Sequence, residues 1–161
     1  MSTERDNLLT LNDEDLCRRC RISFTRGTGP GGQKRNKTSS AVRLELPELE
    51  LVATDCTERS QFRNRANALR KLRLAIARRY RESPAAPPET PVCALTSPSY
   101  PLWLAHLLDV LAEANWDHRT AAAVCGMSPT ALIKKLYRDP PVWQELRRRR
   151  EAAGLPPLTP P

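Results

Sequence analysis

The sequence predicts an α+β unit, a small β-sheet with a glycine-rich loop and a long packed helix, followed by a small all-α unit of helix-turn-helix type. Three observations lead there. Residues 21–26, 40–46 and 49–55 alternate apolar and polar side chains, the period-two pattern of strands. Residues 58–81 repeat apolar side chains at helical spacing. After the proline-rich stretch 83–100 the alternation stops and only helical patterns remain.

The elements follow in order. "LNDEDLCRRC" opens with Asn12 as a helix cap, and Asp13, Glu14 and Asp15 fill the first turn, where the helix dipole favours negative charge. Leu11 and Leu16 fall at the two positions of a hydrophobic staple, and Arg18 and Arg19 suit the C-terminal end. "RISFTR" places Ile22 and Phe24 on one face of a strand. "SAVRLEL" alternates through Val42, Leu44 and Leu46, and "LELVATD" through Leu49, Leu51 and Ala53. Pro47-Glu48 joins the last two as a hairpin, and a proline there calls for a looser turn or a bulge. In the long helix at 58–81 the apolar face runs through Phe62, Ala66, Leu69, Leu72, Ile76 and Tyr80.

Helices are next expected at 99–115, with Pro101 near its start, and at 117–126, ending at Gly126. Ser128 caps a further helix that has Pro129 in its first position, and 140–154 forms the last, stopped by Gly154. The chain thus divides into a sheet-and-helix domain at 10–82, a semi-rigid linker at 83–100, a helical unit at 101–155 and a proline-rich tail at 156–161.

Charge narrows the function. The 161 residues carry a net charge of +8. The first 82 hold most of it, with 18 Lys/Arg against 11 Asp/Glu. Such a balance favours a polyanionic partner. Aromatic residues make up only 5%, which argues against an extensive stacking platform for single strands. "MSTERDNLL" has no apolar run of signal length, and no segment is long enough to span a membrane, so a cytoplasmic protein is expected. Five cysteines fit a reducing compartment better than a disulfide framework. No feature calls for an oligomer, and a monomer is expected.

The stretch "TRGTGPGGQKRNKTSSAVRL" at 25–44 concentrates Gly27, Gly29, Gly31 and Gly32 between two strands and contains no acid. Arg26, Lys34, Arg35, Lys37 and Arg43 are candidate phosphate contacts. Gly31 and Gly32 let backbone approach a bulky substrate without a Cβ clash. A backbone N–H there suits developing negative charge on oxygen. Gln33 donates and accepts hydrogen bonds without titrating, so it can orient water but cannot act as a strong base. A surface loop whose glycines only permit turning is the plainer alternative.

This stretch resembles the GGQ loop of class I peptide chain release factors. Arg26, Gly29, Gly31, Gly32, Gln33, Asn36, Ser40, Ala41 and Val42 fall on that family's pattern. Downstream, "ERSQFRNRANAL" matches the family at Arg59, Ser60, Gln61, Asn64 and Arg65. The chain departs from the pattern at Gly27, Lys34 and Arg35, the last two adding charge for phosphate contacts. The resemblance covers residues 12–81. It implies hydrolysis of the ester joining peptide to tRNA, with Gly31, Gly32 and Gln33 as the catalytic residues and water as the nucleophile. The implied partners are the large ribosomal subunit, its RNA and peptidyl-tRNA, and no cofactor is needed. In that family the glutamine can be methylated by a dedicated glutamine methyltransferase, so Gln33 is a candidate modification site. Full release factors carry large codon-reading domains for which 161 residues leave no room. The chain resembles instead the short, codon-independent members that rescue stalled ribosomes.

Other constellations are weaker. Cys17 and Cys20 invite zinc, but a structural site needs four convergent ligands and no second such pair exists, so no metal is expected. Nine Lys/Arg cover 58–81. A solvated face is the plain reading, and Arg59, Arg63, Arg70 and Lys71 are the candidate RNA contacts. The run Arg147, Arg148, Arg149 and Arg150 is a further one. Residues 117–139 fit either an ordinary helical hairpin or a helix-turn-helix, through Ala122, Gly126, Ser128, Leu132 and Leu136. Two other functions therefore stand beside peptide release. One is a non-catalytic ribosome- or RNA-binding protein, and the other is a DNA-binding regulator acting through 117–139.

Overall fold

The computed structural model describes residues 3–25, 40–83, 85–90 and 92–161. The described residues form two compact units that divide between Ile76 and Ala77.

The first unit begins with α1 (Glu4–Thr10) and α2 (Asp13–Arg19). Helix α1 is not anticipated by the sequence patterns. Its signals are short: Thr3 accepts the Asp6 N–H at 3.2 Å, and Leu8 and Leu9 are buried. Helix α2 is capped as expected, with the Asp15 N–H donating to Asn12 Oδ1 at 2.8 Å and Leu16 fully buried. At its end the Arg19 guanidinium forks onto both carboxylate oxygens of Glu48 at 2.6 Å.

Three strands follow, β1 (Arg21–Thr25), β2 (Ala41–Leu46) and β3 (Leu51–Asp55), antiparallel in the order β1-β2-β3. A 3-10 turn at Pro47–Leu49 joins β2 to β3, with Glu50 at φ 52°, so the turn is the looser kind that proline implies. The register aligns Phe24 with Val42 and Ile22 with Leu44, and places Leu44 beside Ala53 and Leu46 beside Leu51. These residues share one face of the sheet, and on β2 and β3 that face is the core. On β1 the same face is less covered, with Ile22 half-buried and Phe24 49% exposed.

Helix α3 (Gln61–Arg79) supplies the other half of this core. Its buried stripe runs Asn64, Ala68, Leu72 and Ile76, with Leu69 beside it. The expected stripe is wrong in its first two members: Ala66 is exposed and Phe62 is 81% exposed. A buried polar residue opens the true stripe, and an apolar template passes over it to the nearest large side chain. Hydrogen bonds hold α3 in place. Arg73 reaches Asp13 at 2.6 Å and the Leu11 carbonyl at 2.7 Å, and Lys71 reaches Asp55 at 2.6 Å.

The second unit contains α4 (Tyr100–Glu113), α5 (His118–Val124), α6 (Pro129–Tyr137) and α7 (Pro140–Ala152). Leu104, Leu107, Leu108 and Leu111 of α4 meet Ala121, Ala122, Leu132, Leu136 and Leu146 in its core. Asp117 caps α5 by accepting from the Thr120 N–H at 3.1 Å. Gly126, at φ 64°, turns the chain, and Ser128 caps α6 by accepting from the Ala131 N–H at 3.2 Å. Where the sequence suggests a linker at 83–100, the segment lies within this unit and hydrogen-bonds to α4. The Ala85 N–H donates to Glu113 at 3.1 Å, and Trp103 Nε1 donates to the Thr90 carbonyl at 2.8 Å.

Arg150 ties this unit together. It is only 4% exposed and donates to the carbonyls of Trp116 at 2.7 Å and Pro156 at 2.9 Å. Arg150→Met leaves both carbonyls without that donor. It should cost about 2–3 kcal/mol, read as a lower urea midpoint at unchanged slope.

Candidate functional site

The sheet brings the two ends of the glycine-rich loop together. Thr25, the last residue of β1, pairs with Ala41, the first of β2. Gly31, Gly32 and Gln33, with Arg26, Lys34, Arg35 and Lys37, lie on the loop between them and outside the described residues. What the structure describes is the mount of that loop.

Asn64 is the centre of the mount. Its side chain is fully buried, and both amide donors and the acceptor are used. Nδ2 donates to the Ser40 carbonyl at 2.7 Å and to the Glu58 carbonyl at 2.9 Å, while Oδ1 accepts the Glu58 N–H at 2.8 Å. One amide therefore joins the returning end of the loop, the turn after β3 and the first turn of α3. The sequence marks Asn64 as a match to the family pattern, but its burial could not be read there.

A second network fixes the same turn. Asp55 is buried at the end of β3 and accepts from the Thr57 N–H at 3.1 Å, the Thr57 hydroxyl at 2.8 Å and the Lys71 ammonium at 2.6 Å. Burial pushes its carboxyl up, but Lys71 and Thr57 outweigh that and hold it below the ordinary aspartate range.

The candidate RNA contacts outside the loop separate into groups. Arg59, Arg63 and Arg70 are exposed on α3 or the turn before it, Arg63 lying 3.8 Å from Glu58. Arg43 is on the sheet face opposite the core, 3.9 Å from Glu45. Lys71 is held by Asp55 and the Thr54 carbonyl. In the second unit Arg147 is exposed, whereas Arg148 and Arg149 both bond Glu145, at 2.8 and 2.7 Å. Burial pushes the Glu145 carboxyl up, and these two guanidinium groups outweigh it and hold it low. Arg149 also lies 5.5 Å from the centre of the Trp116 ring, and Arg150 is buried. The arginine run is therefore largely engaged within its own unit.

Arg65 Nε donates to the Cys17 sulfur at 3.1 Å. Burial, and then the neighbouring Cys17, push the Cys20 thiol up to about 11. A thiol in that state is a poor metal ligand. Among the described residues no group of three or more His, Cys, Asp or Glu is arranged to hold a metal ion. No helix among them is long and apolar enough to cross a membrane.

A three-stranded sheet and one long helix that clamp both ends of a Gly-Gly-Gln loop define a loop-presenting domain. The RF-1 domain model matches residues 6–91, and the chain belongs to that family. It is 41% identical over 73 residues to peptide chain release factor 1 of Gluconobacter oxydans (strain 621H), covering 45% of this chain and 20% of that protein. It is 37% identical over 79 residues to peptide chain release factor 2 of Corynebacterium glutamicum (strain R), covering 49% and 20%. Over 72 residues it is 42% identical to peptide chain release factor 1 of Zymomonas mobilis subsp. mobilis, covering 45% and 19%. The matched region thus spans about a fifth of the length of these curated relatives.

Proposed function

We propose that this protein releases nascent peptides on the ribosome by hydrolysing the ester of peptidyl-tRNA, without reading a codon. The observation that carries the reading is the mounting of the loop. The Gly-Gly-Gln sequence lies between register-paired strand ends, and the carbonyl that leads out of it is held by the buried Asn64 amide. Membership of the RF-1 domain family supports the same chemistry.

In this reading water adds to the carbonyl carbon of the ester. The tetrahedral intermediate collapses with cleavage of the bond to the tRNA 3′ oxygen, which leaves as a hydroxyl after taking up the proton that water gives up. A backbone N–H of the loop stabilises the charged oxygen, and Gln33 orients the water or the leaving oxygen. The loop sequence holds no His, Asp, Glu, Cys or Tyr to act as a base near neutral pH, so ribosomal RNA and the tRNA supply the proton path. Free peptidyl-tRNA should then survive incubation with the protein. The candidate partners are the large subunit, its RNA and peptidyl-tRNA, with a glutamine methyltransferase acting on Gln33. The candidate state is a cytoplasmic monomer.

Codon independence is the part of the reading that the family match leaves open. The residues after 91 build α4 to α7, a helical unit outside the region shared with the release factors. The test compares release from ribosomes carrying peptidyl-tRNA with an empty A site, a sense codon or a stop codon. Similar rates in all three are expected. Release only at a stop codon overturns codon independence, and rapid hydrolysis of free peptidyl-tRNA overturns the ribosome-dependent mechanism.

A further inference from the structure

We propose that the exposed surface of α5 and α6 is a second RNA-binding site, in which Lys134 and Arg138 hold phosphates, Tyr137 stacks on an unpaired base and Arg119 of α5 adds positive charge. The site lies beyond the region matched by the family model, so nothing in that match assigns it. Naming ribosomal RNA as the ligand rests on the release reading; the binding chemistry does not.

Charge is the first support. Residues 118–138 contain no Asp or Glu. The acids that flank them are both hydrogen-bonded within the unit, although the Asp117 side chain remains 38% exposed. Asp117 caps α5, and Asp139 accepts the Tyr100 hydroxyl at 2.8 Å. Among the described residues no ion pair joins Arg119, Lys134 or Arg138 to an acid, and all three are exposed. The neighbouring arginine run differs, because Glu145 and backbone carbonyls occupy it. The accessible positive charge of this unit is therefore found on α5 and α6 as well as at Arg147.

Placement is the second. Tyr137 and the C-cap residue Arg138 follow Lys134 of α6 by three and four residues, a spacing that puts them on one face at the end of the helix. Tyr137 is 44% exposed and meets Trp143 edge-on, with ring centres 5.4 Å apart. That contact fixes the ring beside two cations. An exposed aromatic among cations suits unpaired bases on a phosphate backbone.

The same placement separates RNA from duplex DNA. A helix-turn-helix reads base edges from the first turn of its second helix. Here that turn carries Pro129, Thr130 and Ala131, which offer neither an amide nor a guanidinium for bidentate pairing. The cations sit at the opposite end of α6, where they meet backbone and not base edges.

The test uses the full chain, the Lys134→Glu/Arg138→Glu double variant and Tyr137→Leu. Binding to purified large subunits and to their deproteinised RNA is measured by sedimentation at several salt concentrations. A random-sequence DNA duplex of matched length serves as competitor. The double variant should bind both probes roughly tenfold more weakly or worse at physiological salt, with a salt slope shallower by about 1.5. Tyr137→Leu should weaken binding about fivefold or more at unchanged slope. Both should melt a few degrees below the parent, through loss of the Trp143 contact in one and acids at the helix C-terminus in the other, and stay fully folded at the assay temperature. Wild-type affinity in both variants overturns the proposal, as does a DNA duplex that competes as well as RNA. Loss of subunit binding with deproteinised RNA binding intact assigns the face to a ribosomal protein and also overturns it. Binding through this face by a chain that releases no peptide supports the site and overturns the release reading.

Discussion

Gly32→Ala is expected to abolish the proposed peptide release and to leave ribosome binding nearly intact. That is the largest effect expected of any single substitution in this chain. In the proposed reaction the loop brings a backbone N–H within hydrogen-bonding distance of the oxygen that becomes charged when water adds to the ester. The reading gives Gly32 the role of letting backbone approach a bulky substrate, which an added Cβ would oppose. Removing one oxyanion donor from a hydrolytic site lowers the rate by about 100- to 1,000-fold, and a misplaced loop forfeits the positioning of water as well. The substitution leaves the exposed arginines proposed as RNA contacts unchanged, so affinity should stay within about twofold. Gln33→Ala should be milder, because its backbone N–H survives. Single-turnover release at saturating protein, with sedimentation for binding, separates rate from affinity. A Gly32→Ala protein that releases peptide at the parent rate removes the loop from the chemistry.

Asn64→Leu should carry the next largest effect, on stability and on release together. Leucine nearly matches asparagine in shape but offers no hydrogen bonds. The Ser40 and Glu58 carbonyls and the Glu58 N–H would lose their partner at once. Stranding buried polar groups costs about 1–3 kcal/mol each, and Glu58 is exposed enough for water to recover part of it. A loss of about 3 kcal/mol is expected, seen as a lower denaturant midpoint. Release should fall further than unfolding explains. At a temperature where the variant is fully folded, its saturated rate should drop while the protein concentration for half-saturation holds. An unchanged denaturation midpoint shows that the Asn64 bonds add little, and an unchanged saturated rate removes the residue from loop positioning.

The sequence by itself determined the order of the strands and of the helices after the first, the caps at Asn12 and Ser128, the loose turn at Pro47 and the family of the first unit. These rest on local rules: periodicity, turn chemistry and capping all act over a few residues, so a linear reading reaches them. The hairpin register follows from the same alternation, since a one-residue slip would turn Val42, Leu44 and Leu46 outward.

Only the tertiary structure decided which side chains of each element face the core and which charges remain accessible. Phe62 is exposed and Asn64 buried because α3 is rotated to place an amide between Ser40 and Glu58, two groups distant from one another in the chain. Arg147 to Arg150 read as one basic run, yet a helix turns successive residues by about 100°, so neighbours in sequence face different surroundings. Arg150 points into the unit, Arg148 and Arg149 close on Glu145, and the charges on α5 and α6 stay without an acidic partner among the described residues. Which cations meet solvent depends on the carboxylates and carbonyls that folding brings beside them, and those partners lie up to 62 residues away.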